Sequence, residues 1–250
     1  MTATVEEAPT AQVGWRESAE HAVRRLSAIT LAGVLLGLLV GGVGGRLAMM
    51  LLARMNPDAT GVTSDDGFRI GQFTVGATLQ LLLTGTFFGL VGACVYALVR
   101  HLMIGPRWFQ VGSIAGGPAV VVGAGIVHSD GVDFVLLEPL WLAIGLFLAI
   151  PAVYAALLTV VAERWLRTDG WAARAPLPLA VIPLVLLVPL APLVAVMVAL
   201  WALNEGLRRN DRFRAALGHP ALPWVARAGL VVVFVVALVD LVGETTELAG

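Results

Sequence analysis

Lysine is absent from this chain, and cysteine occurs once, as Cys94. Without a lysine amine there is no Schiff base to retinal, to pyridoxal phosphate or to a carbonyl substrate, so those chemistries are excluded. A single thiol forms no internal disulfide, no CxxC redox pair and no thiolate metal cage. Set inside an apolar run, Cys94 reads as packing. Charge of either sign is scarce: 13% of the 250 residues are charged and the net charge is −1. The sixteen positive residues are all arginine and are spread along the chain, which leaves no basic patch for a nucleic acid.

What is present is apolar. A hydrophobic content of 58% and a mean hydropathy of +0.88 lie far outside the range of soluble domains. The implied partner of that surface is a lipid bilayer. A helix needs roughly 20 apolar residues to cross the hydrocarbon core. Six segments meet or approach that length: Leu26 to Gly45, Val75 to Val99, Val111 to Val127, Leu140 to Ala162, Leu177 to Leu203, and Trp224 to Gly243. The expected fold is therefore all-α, a polytopic transmembrane helical bundle. Residues 1–25 form a polar N-terminal tail, 26–243 the helical domain, and 244–250 a short C-terminal tail. Trp15 to Arg25 mixes apolar and charged residues in a way that suits an interfacial helix or an extension of the first span. The run after Arg25 lacks an A-x-A cleavage signal, so an uncleaved first span is expected.

Arginine placement sets the orientation expected in a plasma membrane, because positive residues near span ends stay on the cytoplasmic side. Six full crossings put eight arginines on each face, which decides nothing. The fifth segment, however, contains Pro183, Pro189 and Pro192, and proline breaks the helical hydrogen-bond ladder. If that segment is re-entrant, the balance becomes thirteen to three, with a cytoplasmic N-terminus and an external C-terminus. If it is merely kinked, it crosses.

Two patterns stand out. Gly33, Gly37, Gly41 and Gly45 recur at every fourth position, with a shorter series at Gly85, Gly89 and Ala93. Helices in lipid gain little from hydrophobicity when they associate, so close backbone approach along such grooves supplies contact energy. The grooves pack one monomer internally, or they join a homo-oligomer or another membrane protein. The second pattern lies in the loops flanking the second and third spans, where Asp65, Asp66, His128, Asp130 and Asp133 offer oxygen ligands and an imidazole to a divalent metal. Their spacing matches no named metal motif, and Ser-Asp-Asp-Gly and Ser-Asp-Gly are ordinary turn sequences.

Arg46 and Arg54, two helical turns apart, face the side of those loops, where they form ion pairs with Asp58, Asp65 or Asp66, or else bind an anion. The nearby Met49, Met50 and Met55 have irregular spacing and read as packing. Near the C-terminus, Asp240, Glu244 and Glu247 share one helical face. Apart from Arg227 and Asp240 near the ends of the sixth, the six segments hold no Asp, Glu, His, Lys or Arg, whereas ion-coupled pumps place such groups at mid-membrane.

The strings GGRLAMMLLARMNPD, TSDDGFRIGQFT and HSDGVDFVLLEPLWLAIGLFLAIP resemble a family of actinobacterial polytopic integral membrane proteins without an assigned activity. The resemblance covers residues 45–152 best. It implies a membrane fold and brings no cofactor, ligand or catalytic residue with it. The expectation is a non-enzymatic membrane protein working through helix packing and partner or self-association. The alternatives are a small-solute channel or carrier with an acidic external mouth, and a membrane enzyme using the external Asp/His loops.

Overall fold

A computed structural model describes residues 15–64, 67, 69–129, 131–170, 174–208 and 221–249. The described residues are overwhelmingly helical, with one isolated antiparallel bridge between Thr63 and Arg69. The helices are α1 (Trp15–Leu36), α2 (Gly45–Met55), α3 (Val75–Val99), α4 (Arg107–Ala124), α5 (Val132–Leu136), α6 (Leu140–Trp165), α7 (Leu177–Val181), α8 (Ala191–Arg208) and α9 (Ala221–Ala249). A π-helical stretch, Gly37–Gly44, joins α1 to α2, and a 3-10 stretch, Ile182–Leu190, joins α7 to α8.

The first span does not begin as a separate interfacial helix. Arg16–Met55 is one continuous helical run of 40 residues, about 60 Å long at 1.5 Å per residue and roughly twice the hydrocarbon thickness. Its first half is the axis of the bundle. Ala28, Ile29, Thr30 and Ala32 are buried around the whole circumference, because α3, α6, α7 and the 182–190 stretch all pack on α1.

Among the described residues, five helical runs are long and apolar enough to cross a membrane: Arg16–Met55, Val75–Leu102, Leu140–Trp165, Leu177–Leu207 and Ala221–Ala249. This is a multi-pass membrane protein. Helix α4 is shorter, with glycines and Pro118 inside it, yet its 18 residues span about 27 Å and it packs along α6 and α9. Ile114 meets Leu158 and Ala162 near one end, and Ala124 meets Ala143 near the other, so α4 and α6 are antiparallel partners.

Contacts mark the two ends of the bundle. One end carries Glu163, which accepts from Arg100 Nη2 at 2.8 Å and from the Tyr96 hydroxyl at 2.8 Å. There Arg24 donates to the carbonyl of Ala175, and Arg227, early in α9, donates from Nε to Leu102 O at 2.8 Å. Ala175 and the start of α9 therefore share the Glu163 end. Proline explains the form of the fifth segment: Pro183 and Pro189 lack an N–H, and a nine-residue 3-10 stretch replaces the α-helix there. Leu187 and Leu190 pack on Leu90 and Cys94 of α3, so other protein covers the irregular backbone, as lipid requires.

At the opposite end, α9 runs on through residue 249. Residues 244–249 are helical rather than a loose tail. Glu244 accepts from Ser129 N–H at 2.5 Å, and Glu247 accepts from the Ser129 hydroxyl at 3.0 Å. The C-terminal turns of α9 thus clasp the loop between α4 and α6. Arg227 and Asp240, both in α9, lie toward opposite ends of the bundle.

Candidate functional site

Glycines set how closely the first helical run and α3 approach. A Cβ on Gly33 would lie 2.5 Å from Ala93 Cβ and 2.7 Å from Gly89 O; on Gly37, 2.5 Å from Gly85 O and 2.7 Å from Gly89 Cα. Most of these partners are backbone atoms, which cannot turn aside as a side chain does. The Tyr154 hydroxyl of α6 donates to Gly89 O at 2.6 Å beside this crossing. Gly33, Gly37, Gly85 and Gly89 therefore meet within one chain.

The fourth-position repeat does not continue along one face. A Cβ on Gly41 would stand 3.1 Å from Gly85 Cα, while one on Gly45 meets only the side chains of Leu81 and Ile150, at 3.9 and 4.0 Å. Gly42 takes over, its Cβ position 3.0 Å from Leu82 Cα. The cause is the π-helix, whose i→i+5 bonds widen the turn, so the residue five after Gly37 replaces the residue four after it. Gly37, Gly41, Gly42, Gly44 and Gly45 leave the wider turn free of Cβ crowding.

The acidic and imidazole candidates do not form a metal centre among the described residues. Asp65, Asp66 and Asp130 lie outside those residues. His128 is exposed, its Nε2 3.2 Å from Gly125 O. Asp133 is buried in the first turn of α5 and lines a different site.

That site is a cavity of about 320 Å³ at the end of the bundle away from Glu163, between α2, the 60–73 loop, α5 and α6. Helix α2 contributes Arg46, Met49, Met50, Ala53 and Arg54 to its wall, and the loop contributes Ser64, Arg69 and Gln72. Arg69 reaches the cavity because its loop folds as a small hairpin. Gly61 N bonds Ile70 O and Ile70 N bonds Val62 O, each at 2.9 Å. Gly71, at φ +76 against Thr60, turns the chain back toward α3 in a conformation that a side chain would strain.

Arg46 Nη2 donates to Gln72 O at 3.2 Å, and its guanidinium stacks 4.8 Å from the centre of the Phe73 ring. Its Nε is buried and has no hydrogen-bond acceptor among the described atoms. The ion pairs among described residues are Arg100–Glu163 and Arg167–Asp169, so none of the three cavity arginines is paired with a described carboxylate. Arg46 and Arg54 do share one side, as their two-turn spacing predicts. Asp58 does not neutralise them, since it makes no ion pair with either among the described residues.

Asn56, at the end of α2, holds the cavity's loops together. Its Nδ2 donates to Leu52 O and to Glu138 O, both at 2.9 Å, while its Oδ1 accepts from Glu138 N at 2.8 Å. A side-chain amide thereby mimics a backbone strand partner and joins the end of α2 to the segment before α6. Neither Asn56 nor Arg69 belongs to a spaced motif, so the sequence alone does not single them out. Comparison with family models, with curated proteins and with solved structures returns no match for this chain.

Proposed function

We propose that this chain is a non-enzymatic protein of the plasma membrane that binds an anionic group in the arginine-lined cavity. Its N-terminus is cytoplasmic and the cavity opens on the external side. The orientation is supported by arginine placement: among the described residues, Arg16, Arg24, Arg25, Arg100, Arg107, Arg164, Arg167, Arg174 and Arg227 fall at the Glu163 end, and Arg46, Arg54 and Arg69 at the cavity end.

The observation that carries the binding reading is three guanidiniums on one cavity wall without a described carboxylate paired to any of them. Three arginines lining one cavity of about 320 Å³ repel one another. An anion between them turns that repulsion into attraction. It also supplies an acceptor to the buried Nε of Arg46, whose desolvation costs about 1–3 kcal/mol while it lacks one. Among the described lining residues Asp133 brings one carboxylate against three arginines.

The test is thermal unfolding of the purified chain in a neutral detergent at constant ionic strength, with inorganic phosphate or phosphatidylglycerol added. Either probe should raise the midpoint, by an amount equivalent to about 1.4 kcal/mol at ten times its Kd. Arg54→Gln should reduce the gain and Arg167→Gln, distant and exposed, should not. Equal gains in wild type and Arg54→Gln with both probes would refute the reading.

A further inference from the structure

The cavity's surroundings say more about its ligand than its charge does. On α2, Arg46, Met49, Met50, Ala53 and Arg54 face the cavity. About 100° round the same helix, Leu47, Leu51 and Met55 form a stripe at fourth positions and are 60%, 45% and 47% exposed. From the facing lip, Phe73 and Val75, at 67% and 80% exposure, extend the apolar surface. On a membrane-spanning run such a stripe is solvated by acyl chains. The guanidiniums therefore sit at the border between hydrocarbon and headgroups.

Volume narrows the choice. At about 320 Å³ the cavity is at the small end of ligand pockets, which run from about 300 to 1,000 Å³. It has room for a phosphate and a small alcohol, and none for a pair of acyl chains. We infer that the cavity holds the phosphate headgroup of an anionic phospholipid, whose chains lie outside along Leu47, Leu51 and Met55. Basic pockets between membrane helices on the cytoplasmic side bind anionic headgroups, and the same charge complementarity applies to an arginine-lined cavity at the external end. Arg46 Nε and the Arg54 and Arg69 guanidiniums face the phosphate oxygens, and Ser64 and Asp133 on the same wall meet the hydroxyls of a glycerol headgroup.

This rests on the anion-binding reading, and the experiment separates the two. The full chain is placed in phosphatidylcholine nanodiscs containing a minor share of phosphatidylglycerol, and retained lipids are counted by native mass spectrometry. Wild type should retain phosphatidylglycerol preferentially. The Arg46→Gln, Arg54→Gln double variant should lose that preference by roughly tenfold or more, as expected for charged hydrogen bonds. Soluble glycerol phosphate at the same concentration should not displace the lipid. Leu47→Ser with Leu51→Ser keeps the arginines but wets the stripe, and should weaken lipid retention alone.

If glycerol phosphate displaces the lipid, or if the serine variant retains it like wild type, the lipid assignment is overturned while anion binding stands. If neither probe responds to the arginine substitutions, both readings fall. Helicity and monodispersity are checked for each variant. Arg54→Gln alone, at an exposed position, replaces the double variant should that one not fold.

Discussion

Replacing Gly37 with alanine should destabilise the bundle more than the same change at Gly41, and Gly45→Ala should be tolerated. The added Cβ stands 2.5 Å from Gly85 O at position 37, 3.1 Å from Gly85 Cα at position 41, and 3.9 Å from the Leu81 side chain at position 45. Ordinary contact begins near 3.4 Å, so Gly37→Ala requires α3 to move by about 1 Å, enough to forfeit a quarter to a half of the dispersion energy of each pair it separates. Overpacking of this kind costs about 1–3 kcal/mol. Alanine returns up to about 1 kcal/mol of helix propensity at each site, and a control at Gly229, where a Cβ meets nothing within 4 Å, measures that term alone. The gap between Gly37→Ala and Gly229→Ala should therefore be about 1–3 kcal/mol, roughly 5- to 150-fold in the unfolding equilibrium. The assay is titration with sodium dodecyl sulfate in neutral mixed micelles, followed by far-ultraviolet circular dichroism. Finding Gly45→Ala as costly as Gly37→Ala would refute the argument that the π-helix carries Gly45 off the contact face.

Asn56→Asp keeps the shape but loses both Nδ2 donor bonds, to Leu52 O and Glu138 O, and should cost about 1–3 kcal/mol, read as a lower melting midpoint in detergent. Glu163→Gln removes the charge paired with Arg100 but leaves an oxygen for Tyr96; because the Glu163 side chain is 37% exposed, the loss should be within about 1 kcal/mol in the same assay. In a Cys94→Ala background, single cysteines at Thr60 and Thr246 should react with an impermeant maleimide from one side of the membrane, and a cysteine at His101 from the other. Labelling of the Thr60 and Thr246 positions from opposite sides would overturn the placement of the start of α9 at the Glu163 end. Ser129→Pro deletes the N–H that Glu244 accepts and should raise proteolysis of the loop between α4 and α6, measured as the rate of cleavage in intact vesicles.

The amino-acid sequence by itself determined the solvent of this protein and the character of its elements. Long apolar runs without mid-span charge satisfy their peptide groups locally as helices, and only lipid can surround them. It also marked Gly33 and Gly37 as positions of close approach, since a residue without a side chain at helical spacing is a local property. The rest depended on which residues distant in sequence face one another. The glycine repeat predicts one straight stripe, but the π-helix shifts the register after Gly37, and Gly42 rather than Gly45 meets α3. Arginine counting left the fifth segment open between crossing and returning, because five arginines follow it; the contacts of Arg24 with Ala175 and of Arg227 with Leu102 place the residue before it and the start of α9 at one end of the bundle. Of the acidic-loop residues, Asp65, Asp66 and Asp130 lie outside the described residues, and the cavity at that end is lined by arginines 46, 54 and 69. Arg69 joins it only through a loop hairpin, and hydrogen bonds between Asn56 and Glu138 span 82 positions. Charge spacing within a helix is written in the sequence; convergence of charges across loops is written only in the packing.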